Sequence, residues 1–199
     1  MGVWYGGVGQ PMDPQPPADW WRERVDTMRW VFAEARFPVY GLATWEGERC
    51  WTGHGTSLGR VTDVSLGFGG RPGVVVDTSS VGAPDSHERE LERKLLELAT
   101  PRITAAAWQR LSPAALTVLM EQDLLRAGAR VAAVVAREHA IRVDGRPESF
   151  LTGRCGDGWA AVATLEDVTV TITAYQVAPE AVALERVTDV EPYVQPPRG

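Results

Sequence analysis

Cysteine is nearly missing from this chain: only Cys50 and Cys155 occur in 199 residues, far apart and without CxxC spacing. Two isolated thiols make no disulfide framework, so both are expected as reduced side chains of a cytoplasmic protein. Long apolar runs are missing too. No stretch approaches the ~18 residues of a membrane helix, and a membrane is not an expected partner. Residues 1–7 lack the basic region and apolar stretch of a secretory signal. Positive charge is in deficit, with 20 Lys+Arg against 26 Asp+Glu and a net charge of -6. The arginines do not cluster but are interleaved with acids, as in Arg22-Glu23-Arg24 and Glu88-Arg89-Glu90. Such a surface repels a phosphate backbone, which argues against nucleic acid and leaves another protein as the expected partner. The glycine-rich run 67–73 has no GK[ST] and opens no dinucleotide fingerprint. A hairpin loop accounts for it, and no cofactor is expected.

What is present is a globular composition, 44% hydrophobic and 23% charged, in a chain long enough to bury a core without metals or disulfides. Glycine and proline crowd residues 1–18, which read as a flexible arm carrying Trp4 and Tyr5. Asp19 can cap a first helix whose stripe is Trp21, Val25, Met28, Phe32 and Ala35, ending at Phe37-Pro38. Between residues 39 and 80 the texture changes to four short β-rich runs separated by glycine turns. Residues 81–128 read as three helices. Asp85 and Glu88 form a capping box for the first, Thr100-Pro101 and Ser112-Pro113 start the others, and Gly128 is expected to end the last. The run Glu88, Arg89, Glu90, Glu92, Arg93, Lys94, Glu97 reads as a solvated helix face, with His87 at its start.

After Gly128 four more strands are expected. Asp144-Gly145 is a hairpin signature, and Gly156-Asp157-Gly158 and Glu166-Asp167 are further turns. In the last strand Val168, Val170, Ile172 and Ala174 alternate with Thr169, Thr171, Thr173 and Tyr175, predicting one buried and one wet face. The sequence Arg60-Val61-Thr62-Asp63-Val64 recurs as Arg186-Val187-Thr188-Asp189-Val190, but at non-equivalent places in the two halves, so a duplication is not inferred. The expected fold is therefore α+β: two antiparallel β-meanders flanking a central helical segment, with an N-terminal amphipathic helix packed on the sheet. A single domain over 19–191, with 19–80 and 81–191 as candidate subdomains, precedes an extended tail at 192–199.

Few residues suggest chemistry. Cys50 and His54 lie four apart and with Cys155 could supply three zinc ligands. Along a strand, however, the first two stand about 13 Å apart at ~3.3 Å per residue, and no fourth ligand is suggested, so no metal is expected. A cysteine nucleophile, Cys155 or Cys50, paired with His54, His87 or His139 is not excluded by spacing, since such sites are assembled in space, but Cys155 lies in a glycine-rich turn without a cysteine-hydrolase signature, and buried structural thiols explain the cysteines better. No catalytic residue is therefore assigned. The 8 tryptophans are the largest departure from average composition, and most should be core. Trp20 and Trp21 point about 100° apart on a helix, so one can leave the core face and join the aromatic arm in a binding surface. Trp4, Tyr5, Trp20, Trp51 and His54 are the candidate binding residues. The expected function is a non-enzymatic protein-binding or accessory protein, of the immunity or adaptor kind. The alternative is a small-molecule-binding or hydrolytic enzyme with a pocket between sheet and helices lined by Trp51, His54 and His139.

Overall fold

The structure, a computed structural model, describes residues 18–69, 73–81, 86–99 and 113–193. Helix α1 spans Ala18–Glu34. Strands β1 (Tyr40–Leu42), β2 (Arg49–Ser57), β3 (Arg60–Phe68) and β4 (Gly73–Ser79) follow, then helices α2 (His87–Ala99) and α3 (Pro113–Ala132). Strands β5 (Arg137–Val143), β6 (Arg146–Cys155), β7 (Gly158–Leu165), β8 (Val168–Tyr175) and β9 (Ala183–Arg186) complete the chain, with 3-10 turns at Pro179–Ala181 and Glu191–Tyr193. The middle of the three expected helices, the arm with Trp4 and Tyr5, and the tail from 194 lie outside the described residues.

The expected pair of meanders flanking a helical segment is overturned. The protein is mostly β, about 46% strand and 30% helix, and both strand runs enter one nine-stranded curled half-barrel. Its order is β1-β9-β5-β6-β7-β8-β4-β3-β2. The join is β4 against β8, antiparallel from Gly73↔Tyr175 to Ser79↔Thr169, so that the first run continues the second across residues far apart in sequence. β9 then lies between β5 and β1, parallel to β5 and antiparallel to β1. One sheet thus spans both candidate subdomains.

The curl brings edge strand β1 back over β4, where the Tyr40 amide donates to Thr78 Oγ1 at 3.1 Å. The concave face carries the main core: Leu66 and Phe68 of β3, Val74 and Val76 of β4, Phe150 of β6, Trp159 and Ala161 of β7, Val170 and Ile172 of β8. Helix α1 closes it with Met28 and Val31. Tyr193, placed by sequence in the tail, is instead buried edge-on against Phe68 (5.9 Å, 86°), and burial pushes its phenol up to about 12.

The opposite face is covered by α2 and α3 over β6 and β7, with Leu91, Leu95, Ala127 and Val131 against Ala160 and Val162. Gly128 does not end α3, because its backbone stays in the ordinary helical region and the stripe continues from Ala127 to Val131. The wet face expected for β8 is also corrected. Thr169 and Thr171 are buried, and Thr171 Oγ1 donates to Asp77 Oδ2 at 3.2 Å. The same carboxylate oxygen accepts from Lys94 Nζ at 2.5 Å. Lys94, expected on a solvated helix face, is 8% exposed. It is the only lysine in the sequence. Arg93 does keep to the solvated side, bridging Glu90 and Glu97.

Candidate functional site: an aromatic and cationic patch on edge strand β2

Strand β2 forms one edge of the sheet and is irregular. The register runs Trp51↔Leu66 and then Gly53↔Ser65, His54↔Val64, so a bulge falls between Trp51 and Gly53, and a second irregularity follows Gly55. An extra residue inverts the alternation of a strand. Trp51 and His54, three apart, would point to opposite faces of a regular strand; here both face the α1 side, opposite Leu66 and Val64. Cys50, in contrast, lies over Gly67 on the other face. The bulge therefore sets Cys50 and His54, which four-residue spacing on a regular strand would put on one face, on opposite faces.

On the α1 side, the His54 ring stacks on Trp51 with centroids 5.3 Å apart and an interplanar angle of 28°. Trp30 of α1 meets the same imidazole edge-on at 6.1 Å and 74°. The Arg24 guanidinium, also from α1, stands 5.1 Å from the Trp51 ring centroid and donates to the Trp51 carbonyl. Trp51 itself is buried and donates from Nε1 to the Gly53 carbonyl at 2.7 Å, a bond that closes the bulge. Burial lowers the pKa of His54, with Asp63 partly opposing it. The imidazole in this stack is therefore held towards its neutral form.

Two apolar side chains project from this region. Trp30 is 44% exposed, and Leu58, at the tip of the β2–β3 hairpin, is fully exposed. Leu58 has φ 50°, followed by Gly59 at φ 75°. A leucine in the left-handed region costs about 1–2 kcal/mol; the two-residue turn between Ser57 and Arg60 demands that conformation, but the exposed side chain adds no packing of its own to offset it.

Of the sequence candidates, the structure brings together Trp51 and His54. Trp4 and Tyr5 lie outside the described residues, as does the side chain of Trp20. Trp30 was missed as a site residue, although a detectable signal was present: it falls off the Trp21, Val25, Met28, Phe32, Ala35 stripe of its own helix. The zinc trio is not assembled, because Cys155 lies on β6, with β7, β8, β4 and β3 between it and β2; Cys155 and His139 border one cleft but from opposite faces, His139 being paired with Phe150 of the concave cluster and Cys155 packed on the outer one. The expectation of buried thiols is not met, since Cys50 is exposed and Cys155 half-buried; the neighbours around Cys50 still desolvate it enough to raise its thiol pKa, with Arg24 partly opposing. Among the described residues no group of three His, Cys, Asp or Glu side chains could hold a metal ion. His139 sits on β5, with β6, β7, β8, β4 and β3 between it and strand β2 of Trp51 and His54. His87 bonds Thr164 Oγ1 through Nε2 at 2.9 Å and borders a small cavity of about 310 Å³.

No helix among the described residues is long and apolar enough to cross a membrane. No protein-family model matches the chain, nor does any curated protein or solved structure.

Proposed function

We propose that this chain is a non-enzymatic protein-binding or accessory protein, of the immunity or adaptor kind, that covers its partner with the Trp30–His54–Arg24 patch and the Leu58 hairpin tip. The observation that carries the reading is the 44% exposure of Trp30 on a pre-stacked aromatic cluster. Tryptophan and arginine are the commonest anchors of protein interfaces, and rings already held by packing lose little freedom on binding. Leu58 supports it, since an exposed apolar residue kept at a strained backbone position points to a role outside the fold. The bulges of β2 supply a further argument. They break the flat ladder that invites unspecific strand pairing, which favours recognition by side chains over recognition by the strand edge. The alternative hydrolytic reading loses support because His54, His139 and Cys155 do not converge.

Affinity capture with the wild-type chain, Trp30→Ser and Leu58→Gly tests the reading. A partner retained by the wild type is expected to be lost with Trp30→Ser and weakened with Leu58→Gly. The glycine variant should keep or gain stability, because glycine removes the strain at φ 50°. Identical capture by all three proteins sinks the proposal.

A further inference from the structure

A second region, independent of the β2 patch, has the make-up of a small-ligand site. Strand β5 stops pairing with β6 at Arg137↔Thr152, but β6 runs on to Cys155, paired there only with β7. Beyond that point residues 133–136, coming off α3, pass the open side of β6 without entering the sheet. The gap is a cleft of about 800 Å³, bordered by Arg130, Arg137, His139, Arg154, Glu138 and Glu180 around an apolar wall that includes Val134, Val135 and Pro179.

Register places the arginines. Arg137 is directly opposite Thr152, so both point to one face, and Arg154, two residues further along β6, points there too. Diagonal neighbours of this kind stand about 7–8 Å apart between Cα atoms, within common reach of two long side chains. Arg154 is in turn opposite Trp159, whose buried ring makes a rigid base. Like charges set side by side on a sheet repel. Arg29, Arg93, Arg126 and Arg186 each have a carboxylate within 3.6 Å, whereas Arg36, Arg60, Arg142 and Arg146, like the two arginines of the cleft, have none among the described residues. Arg137 and Arg154 have no ion pair among the described residues, although Glu138 and Glu180 border the same cleft. Glu138 cannot easily serve Arg137, because it is the next residue on the strand and points to the other face.

We propose that this cleft binds a small phosphomonoester, its phosphate held between the Arg137 and Arg154 guanidiniums and its organic body against Val135 and Pro179. Two guanidinium forks match the several oxygens of a phosphate better than the two of a carboxylate. Glu138, Glu180 and the net charge of -6 turn away polyanions, so the ligand is a compact mono- or dianion.

Backbone amide NMR of the full chain at low salt, titrated in turn with phenyl phosphate, inorganic phosphate and benzoate, tests this. Saturable shifts confined to residues 133–139 and 152–156 are expected, with phenyl phosphate tightest because it alone offers both head and body. Arg137→Gln and Arg154→Gln, singly, should each weaken phenyl phosphate by about tenfold, ~1.4 kcal/mol. Arg142→Gln, on the same strand but outside the cleft, should leave affinity unchanged. No saturation at millimolar phenyl phosphate, benzoate binding as tightly as phenyl phosphate, or an equal loss in Arg142→Gln would each overturn the proposal.

Discussion

Both faces of the curled sheet carry buried side chains, yet they are built on different chemistry. The concave face is filled by Phe68, Val76, Phe150, Trp159 and Ile172 and closed by Met28 and Val31, and its stability comes from apolar area removed from water. On the outer face a small apolar seat for α2 adjoins a polar lock of Lys94, Asp77 and Thr171. A core built on area tolerates a lost hydrogen bond and suffers from a cavity; a polar lock does the reverse. The difference explains how a strand such as β8 can show threonine on one side and still be covered on both.

The largest effect is expected on the concave face. Trp159 is 2% exposed and donates from Nε1 to the Val177 carbonyl at 2.6 Å. Trp159→Ala should cost about 3–5 kcal/mol in urea denaturation, through the cavity left behind. Against a typical total of about 5–15 kcal/mol, that alone can leave the chain partly unfolded. A loss below about 1 kcal/mol would mean that the concave cluster is not the main core.

Next comes the lock. Asp77→Leu leaves the Lys94 ammonium under α2 without its closest acid, since Glu97 is 3.5 Å away and half exposed. The loss should be about 2–4 kcal/mol, and the double variant Asp77→Leu/Lys94→Met should recover most of it, because replacing both members of a buried pair is often neutral. Burial pulls the Lys94 pKa down, but the charges of Asp77 and Glu97 and the hydrogen bond that Lys94 donates to Asp77 outweigh it, and the pKa stands above its ordinary value. The contribution of the pair is therefore fully present below the ordinary lysine range and is lost as pH rises through the raised folded value. Because Lys94 is the sole lysine, an amine-reactive reagent reports on it directly. Native protein should react only at its α-amino group, and Asp77→Leu should expose Lys94 to labelling. Equal labelling of both proteins would break the comparison.

Gly153 marks where α2 approaches β6 most closely: an added Cβ would stand 2.8 Å from Leu95 Cδ1 and 2.9 Å from Val134 Cγ1. Gly153→Ala is expected to cost about 1–2 kcal/mol by overpacking the seat of α2, measured by the same denaturation. Because Val134 also borders the arginine cleft, the variant should broaden amide signals at residues 133–137 as well.

How far these features can be read from sequence depends on whether they are local. Strand ends in β2, β3, β7 and β8 follow from alternation and turn residues. Asp144 and Gly145 adopt φ 47° and 81°, and Glu166 and Asp167 φ 45° and 65°, as tight hairpin turns demand. The union of β4 with β8 could not be read, because each strand is satisfied locally by its hairpin neighbour and nothing nearby names the partner on its other edge. β9, four residues long, has too little pattern to detect. The β8 alternation showed that the two faces differ in polarity, but a threonine whose hydroxyl finds a buried acceptor can be covered as well as a valine. At the candidate site, Gly53 and Gly55 are the kind of strand glycines that mark a bulge, and the register does shift beside both, but glycines do not fix which side chains the shift turns over, so the turning of His54 away from Cys50 could not be read. Trp30 was legible in principle, since a large aromatic off the buried stripe of a helix must either find another partner or remain exposed.

The smallest effects test the outer face most finely, because burial there is nearly constant while hydrogen bonding is not. Thr169 and Thr171 are 7% and 3% exposed and lie two residues apart on β8. Thr169 Oγ1 has no hydrogen-bond partner among the described residues, whereas Thr171 Oγ1 donates to Asp77. Valine has nearly the same shape as threonine, so each substitution exchanges a hydroxyl for a methyl in place. Removing an unsatisfied buried hydroxyl should stabilise by up to about 1 kcal/mol, while removing a satisfied one that helps hold a carboxylate should destabilise by about 1 kcal/mol. Thr169→Val and Thr171→Val are thus expected to shift the denaturation midpoint in opposite directions. Shifts of the same sign would show that burial alone governs this face, as it does the concave one.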